Sequence, residues 1–190
     1  MASQIKYHCV LALPIFDYSF PQLITMETCN EYRKSFPQSN TSNVQAWHSG
    51  YYTHDTTNVF NPLINTTLSK CYDVTEQHLS TDITTNSDEY FVSNLWVAMY
   101  EKNDRTLMHH HFPYHFAACY YVDVEDDCSP ITFGDCNGID IQPENGMLLI
   151  WNGIVPHMVA PTNKKRTCIC MNISMRSKRK APTDSIPIFY

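Results

Sequence analysis

The chain has no Cys-x-x-Cys pair although it carries eight cysteines in 190 residues. That removes the zinc-ribbon and thioredoxin-like readings, which need paired thiols at that spacing. It has no excess of basic charge: 13 Lys and Arg stand against 19 Asp and Glu, a formal charge of −6. A general nucleic-acid binder is thereby disfavoured, since such proteins present a positive field to phosphates. The one basic cluster, Arg176 to Lys180, reads as a solvated tail. Long apolar runs are missing too. Val10 to Phe16 is the longest near the N-terminus, and Pro14 breaks it, so neither a membrane span nor a signal peptide is predicted. No internal repeat and no long linker divides the chain, and one domain over residues 1–190 is expected.

What is present is apolar and aromatic. Hydrophobic residues make up 43% of the chain and aromatics 13%, including twelve Tyr, enough for a core that needs no disulfides. Cys119, Cys168 and Cys170 lie in apolar stretches, where a thiol behaves as a small buried hydrophobe. Cys128 and Cys136 flank a turn-like segment, a pair that an oxidising setting could join.

Up to about residue 90 the pattern predicts a support region of mixed elements. An apolar strand-like start covers Tyr7 to Phe16, and a short amphipathic helix lies within 21–36. Strand and turn follow around Val44 to Tyr51, and a helix opens at Asn61-Pro62 and runs to about His78. From residue 91 the period changes to two. Strands are predicted at 91–100, 116–124, 139–141, 147–151, 157–160 and 167–175, separated by turn signals such as Pro143-Glu144-Asn145-Gly146. Short antiparallel strands at this spacing indicate a mainly β barrel or jelly roll, with a core at about 91–175 and a tail at 176–190.

The chemistry concentrates in Met108-His109-His110-His111-Phe112-Pro113. His157 follows 46 residues after His111, and Arg166 nine residues later. In a strand His109 and His111 share one face and His110 faces the other way. With His157 from a distant strand they can occupy one face of a metal's coordination sphere and leave positions open, as non-haem iron requires. Arg166 heads an apolar strand and can offer a bidentate fork to a carboxylate.

These elements resemble, in order and spacing, those of the iron(II) and 2-oxoglutarate dependent oxygenases, in particular a small prolyl-hydroxylase-like group of phages and bacteria. The likeness rests on Asn94-Leu95-Trp96, the triple His, Cys119-Tyr120-Tyr121-Val122, Pro143-Glu144-Asn145-Gly146, Pro156-His157 and Arg166 through Asn172. It implies a double-stranded β-helix with N-terminal helices packed on one sheet. It also implies an iron(II) ion on His109, His111 and His157, with 2-oxoglutarate as co-substrate held by Arg166 and by Tyr100, nine residues before His109. The reaction so implied is hydroxylation by dioxygen of an unidentified substrate, by analogy a peptidyl side chain, with loops at 47–55 and 82–89 as substrate lids.

The sequence departs from the wider superfamily at position 111, where a carboxylate is usual and this chain has His. The alternative is therefore a jelly-roll structural or binding protein without turnover, such as a viral particle component. The expected location is the cytoplasm, of a host cell if the chain is viral, with a virion location and a homo-oligomer or viral assembly left open. No nucleic-acid or membrane partner is expected.

Overall fold

Strands buried on both faces read as continuous apolar runs, and this chain builds its central layer from four of them. In the computed structural model, residues 6–10, 13–37, 39, 42–78, 88–134 and 138–178 are described. In chain order the elements are β1 (Lys6–Val10), β2 (Leu13–Ser19), α1 (Met26–Ser35), β3 (Val44–Gln45), β4 (Trp47–His48), α2 (Thr53–Thr56), α3 (Asn61–His78) and β5 (Asp88–Tyr100). They continue with β6 (Arg105–His109), β7 (Phe116–Val124), β8 (Ile131–Phe133), β9 (Ile139–Ile141), β10 (Met147–Asn152), β11 (His157–Val159) and β12 (Arg166–Ser177).

The strands form two antiparallel sheets. The larger has the order β1-β2-β10-β7-β12-β5-β4, the smaller β3-β6-β11-β8-β9. This is the expected double-stranded β-helix, and the alternation of side chains gives it two cores. Leu95, Val97 and Met99 of β5 and Ile169, Met171 and Ile173 of β12 face outward, against Cys29 of α1 and Leu63, Cys71 and Val74 of α3. Trp96, Ala98 and Tyr100 of β5 and Cys168 of β12 face inward, toward Ile131, Phe133, Val159 and Trp151 between the sheets.

Local signals fix where the helices sit. The Thr25 side chain accepts a hydrogen bond from the Thr28 N–H at 3.2 Å, so α1 starts at Met26. Pro62 occupies the first turn of α3, where a missing N–H costs nothing. At the turn before β10, Gly146 has φ of +81° and its missing Cβ would lie 2.3 Å from the Phe20 carbonyl oxygen. The Phe20 N–H donates to the Gly146 carbonyl at 3.0 Å, which ties the end of β2 to the start of β10.

The structure differs from the sequence expectation at several boundaries. The apolar start is a hairpin, β1 with β2, in which Tyr7 pairs with Phe16, rather than one strand. The cap at Thr25 delays α1 beyond Pro21. β12 runs on to Ser177 because Asp88 and Glu89 extend β5 to pair with it, and Arg176 makes an ion pair with Glu89 at 2.5 Å. Arg176 and Ser177 thus belong to the sheet and not to a tail. The short strands β6 and β8 lack enough alternation to be read from sequence. Cys136 and residues 82–87 of the second expected lid lie outside the described residues.

Ile169 is fully buried between the large sheet and the helices. Ile169→Ala should cost about 2–5 kcal/mol of stability by chemical denaturation while leaving the inner cavity's ligands in place. A loss well under 1 kcal/mol would mean that this layer is not packed as described.

Candidate metal centre

Two elements of the small sheet bring the histidines together. His109 ends β6, His157 begins β11, and the two are register partners with ring centroids 4.2 Å apart. A bulge follows His157, the kind of irregularity that re-aims a side chain. His111 completes the cluster, its Nε2 lying 3.2 Å from that of His157. One ring nitrogen from each residue lies within 4.8 Å of the others.

His111 does not arrive there by strand parity. β6 ends at His109, and His111 sits in the following loop. Its backbone N–H donates to the Gly153 carbonyl at 2.7 Å, while the Gly153 N–H donates to the His115 carbonyl at 3.1 Å. Gly153 has no room for a side chain, since a Cβ would lie 2.1 Å from the Tyr114 carbonyl oxygen. Backbone docking on Gly153 therefore aims His111. His110 is exposed outside the cluster and its Nδ1 accepts from the Phe112 N–H at 3.2 Å. His115 is exposed as well.

The imidazoles are oriented for metal binding. His109 Nδ1 lies 2.8 Å from the Leu107 carbonyl and His157 Nδ1 lies 3.2 Å from the Val155 carbonyl. An N–H on each Nδ1 donates to these oxygens, leaving the Nε2 lone pairs free. Burial first, then mutual repulsion with His109 and His110, pushes His111 down to about 3. Burial is also the leading cause that lowers His157 and His109. All three are neutral at pH 7, the state a metal needs. Trp151 packs edge-on to His157 at 4.9 Å and Trp96 lies 6.1 Å from His111, so aromatic walls flank the rings.

Behind the histidines a cavity of about 40 Å³ reaches Arg166 and is also lined by Tyr100, Thr106, Cys119, Cys168 and Cys170. Arg166 is 2% exposed at the head of β12. One of its terminal nitrogens donates to the Ser129 carbonyl at 3.0 Å, and the guanidinium lies 4.5 Å from the centre of the Tyr100 ring. No carboxylate pairs with it among the described residues. Among the described residues its Nε has no hydrogen-bond partner, and the buried Tyr121 hydroxyl has only the Cys119 thiol beside it. Tyr100 lies on the inner face with Trp96 and Ala98, and its hydroxyl is 2.6 Å from that of Thr106.

The cavity shares Val44, Trp96, His109 and His111 with an outer groove of about 340 Å³, whose other walls include Tyr51, Tyr52, Asn94, Phe112, Tyr114 and Asn172. Tyr51 and Tyr52 fall in the first loop expected as a lid. Asn172 donates to Asn94 at 3.1 Å and also hydrogen-bonds His111.

The sequence reading brought in His109, His111, His157, Arg166 and Tyr100, and the structure gathers them around one cavity. It missed Gly153 and the convergence of the three cysteines. The only sequence signal for Gly153 is that it is one of just five glycines.

No protein-family model and no curated protein matches the chain by sequence. Solved structures do match in fold. A prolyl-4-hydroxylase from Pseudomonas putida is 14% identical at a TM-score of 0.60, covering 88% of this chain and 93% of that one. A viral collagen prolyl hydroxylase from Paramecium Bursaria Chlorella virus-1, solved with 2OG, is 12% identical at 0.57, covering 83% and 94%. A prolyl hydroxylase from Trichoplax adhaerens, bound to a hypoxia inducible factor peptide, is 18% identical at 0.52, covering 77% and 74%. The chain has the fold of the 2-oxoglutarate and iron(II) oxygenases. A viral structure is among these neighbours, but they give a phage origin no support.

Two outcomes follow from the centre's construction. Gly153→Ala should push the His111 loop off its support and weaken binding of a divalent metal by about tenfold or more. Gly50→Ala, where a Cβ meets nothing within 4 Å, should leave it unchanged; equal affinities in calorimetric titration would count against the loop's role. In the metal-free protein, the unfolded chain takes up protons at these histidines below about pH 6.5 while the folded site refuses them. Its melting temperature should therefore fall between pH 7 and pH 5, and His111→Gln should flatten that slope.

Proposed function

We propose that this chain is an iron(II) and 2-oxoglutarate dependent dioxygenase that hydroxylates a peptidyl side chain. The observation that carries the reading is the pairing, across one cavity, of three neutral imidazoles with a buried guanidinium that has no carboxylate partner among the described residues. The donor set suits iron(II), which imidazole binds well. The Arg166 Nε, without a hydrogen-bond partner among the described residues, suits a carboxylate.

In this reading His109, His111 and His157 would hold the iron, and Arg166, with Tyr100 beside it, would bind a carboxylate of 2-oxoglutarate. Bound together, the metal and co-substrate supply oxidation of a substrate C–H bond by dioxygen. The cavity reaches from the three imidazoles to Arg166, so one ligand can meet both ends. Trp96 and Trp151 keep bulk water from the imidazoles. In the outer groove aromatic rings and the amides of Asn43, Asn94 and Asn172 stand without Lys, Arg, Asp or Glu. Such a surface suits a neutral extended peptide, whose backbone the amides can hydrogen-bond. The prolyl hydroxylases that share the fold support the same substrate class by analogy.

Anaerobic addition of iron(II) and 2-oxoglutarate should produce a visible metal-to-ligand charge-transfer band. Arg166→Ala should weaken the co-substrate by about 2–5 kcal/mol while sparing iron. A correctly folded chain that binds iron but gives no band would overturn the enzyme reading and favour a jelly roll that serves binding or assembly.

A further inference from the structure

Cys119, Cys168 and Cys170 are scattered in sequence and read singly as small hydrophobes. The sheet brings them together. Cys168 and Cys170 lie two residues apart on β12 and so share a face, while Cys119 on β7 is the register partner of Cys170. The Cys168 and Cys170 sulfurs are 3.9 Å apart, those of Cys170 and Cys119 are 4.0 Å apart, and all three lie within 4.8 Å of one another. All three line the inner cavity. None is in a disulfide.

Two of the three edges match a coordination polygon, and the third is within 4.8 Å. With metal–sulfur bonds of about 2.3 Å, three sulfurs around a trigonal ion stand roughly 4.0 Å apart, and around a tetrahedral one roughly 3.8 Å. We infer that Cys119, Cys168 and Cys170 form a second metal site, for one thiophilic closed-shell cation of the Cu(I) or Zn(II) class, distinct from the histidine centre.

Three further features fit. The donors are soft, and thiolates select such ions over iron(II) and magnesium. The cavity beside them has room for a water that completes a fourth position if the ion is Zn(II). Arg166 supplies the positive charge that a trithiolate complex needs, being buried on the same strand and face with no carboxylate partner among the described residues. Each metal–sulfur bond forms as its thiol releases a proton to solvent, and no electron is transferred. The ion would stand beside Arg166 in the cavity that the oxygenase reading gives to 2-oxoglutarate, so the two would compete there, and the test contains neither iron nor 2-oxoglutarate.

The metal-free, reduced chain would be titrated anaerobically with Cu(I) from a coloured chelator and, in a separate arm, with Zn(II). X-ray absorption at the metal edge would then count the neighbours of one bound equivalent. Three sulfurs at about 2.3 Å are expected with at least one of the two ions. The ultraviolet sulfur-to-copper band should saturate at one equivalent, and Cys168→Ser should weaken Cu(I) at least tenfold while His109→Ala leaves it unaltered. A nitrogen-only shell with both ions, read on the unaltered chain, would overturn the site whether or not the cysteine variants fold. Cu(I) binding that follows His109 instead of Cys168 would overturn it too.

Discussion

A guanidinium taken out of water without an anionic partner is expensive, and the interior of this fold is arranged around one. Arg166 enters the barrel at the head of β12, among the Ser129 carbonyl, the Cys128 thiol, the faces of Tyr100 and Tyr121 and the nearby thiols of Cys119 and Cys168. Cation–π contacts and hydrogen bonds to neutral groups offset only part of the desolvation cost. What remains is a standing attraction for negative charge at the closed end of the cavity. A ligand's carboxylate or a thiolate on β12 can meet it. The histidines at the open end are held neutral by burial, so the charge gradient along the cavity runs from an uncharged mouth to a cationic floor.

The layers around that cavity serve it in different ways. The outward residues of β5 and β12 press on α1 and α3 and hold the large sheet firm. The small sheet is made of two- to five-residue strands, and it carries His109 and His157 at strand ends where bulges and turns set direction. Precision there comes from backbone hydrogen bonds to Leu107, Val155 and Gly153 more than from side-chain packing. Supporting contacts of that kind fix both the tautomer and the aim of metal-binding imidazoles.

Much of this was legible in the sequence because periodicity and spacing are local properties. The double-buried strands β7 and β10 and the long helix α3 stand where their patterns put them, and the histidines and Arg166 meet around one cavity as their spacing suggested. Other features depended on pairing that no local pattern encodes. Cys119 and Cys170 are 51 residues apart, and only the β7–β12 register makes them neighbours. Strand parity puts His111 in the cluster for a reason the structure does not bear out. Alternation along a strand cannot aim it, because the strand has already ended; a distant glycine does. Short strands such as β8 escape notice because three residues cannot display a period.

The alternation along β12 has a bearing on how such a protein can change over generations. Ile169, Met171 and Ile173 answer to the helices, whereas Arg166, Cys168, Cys170 and Asn172 answer to the cavity and groove. Substitutions in one set need no matching change in the other, since a strand keeps its two faces apart. A lineage can therefore exchange the chemistry of its interior one residue at a time while the foundation beneath it stays fixed. A strand that combines a rigid back with a freely variable front is a workable route to new ligands on an old scaffold.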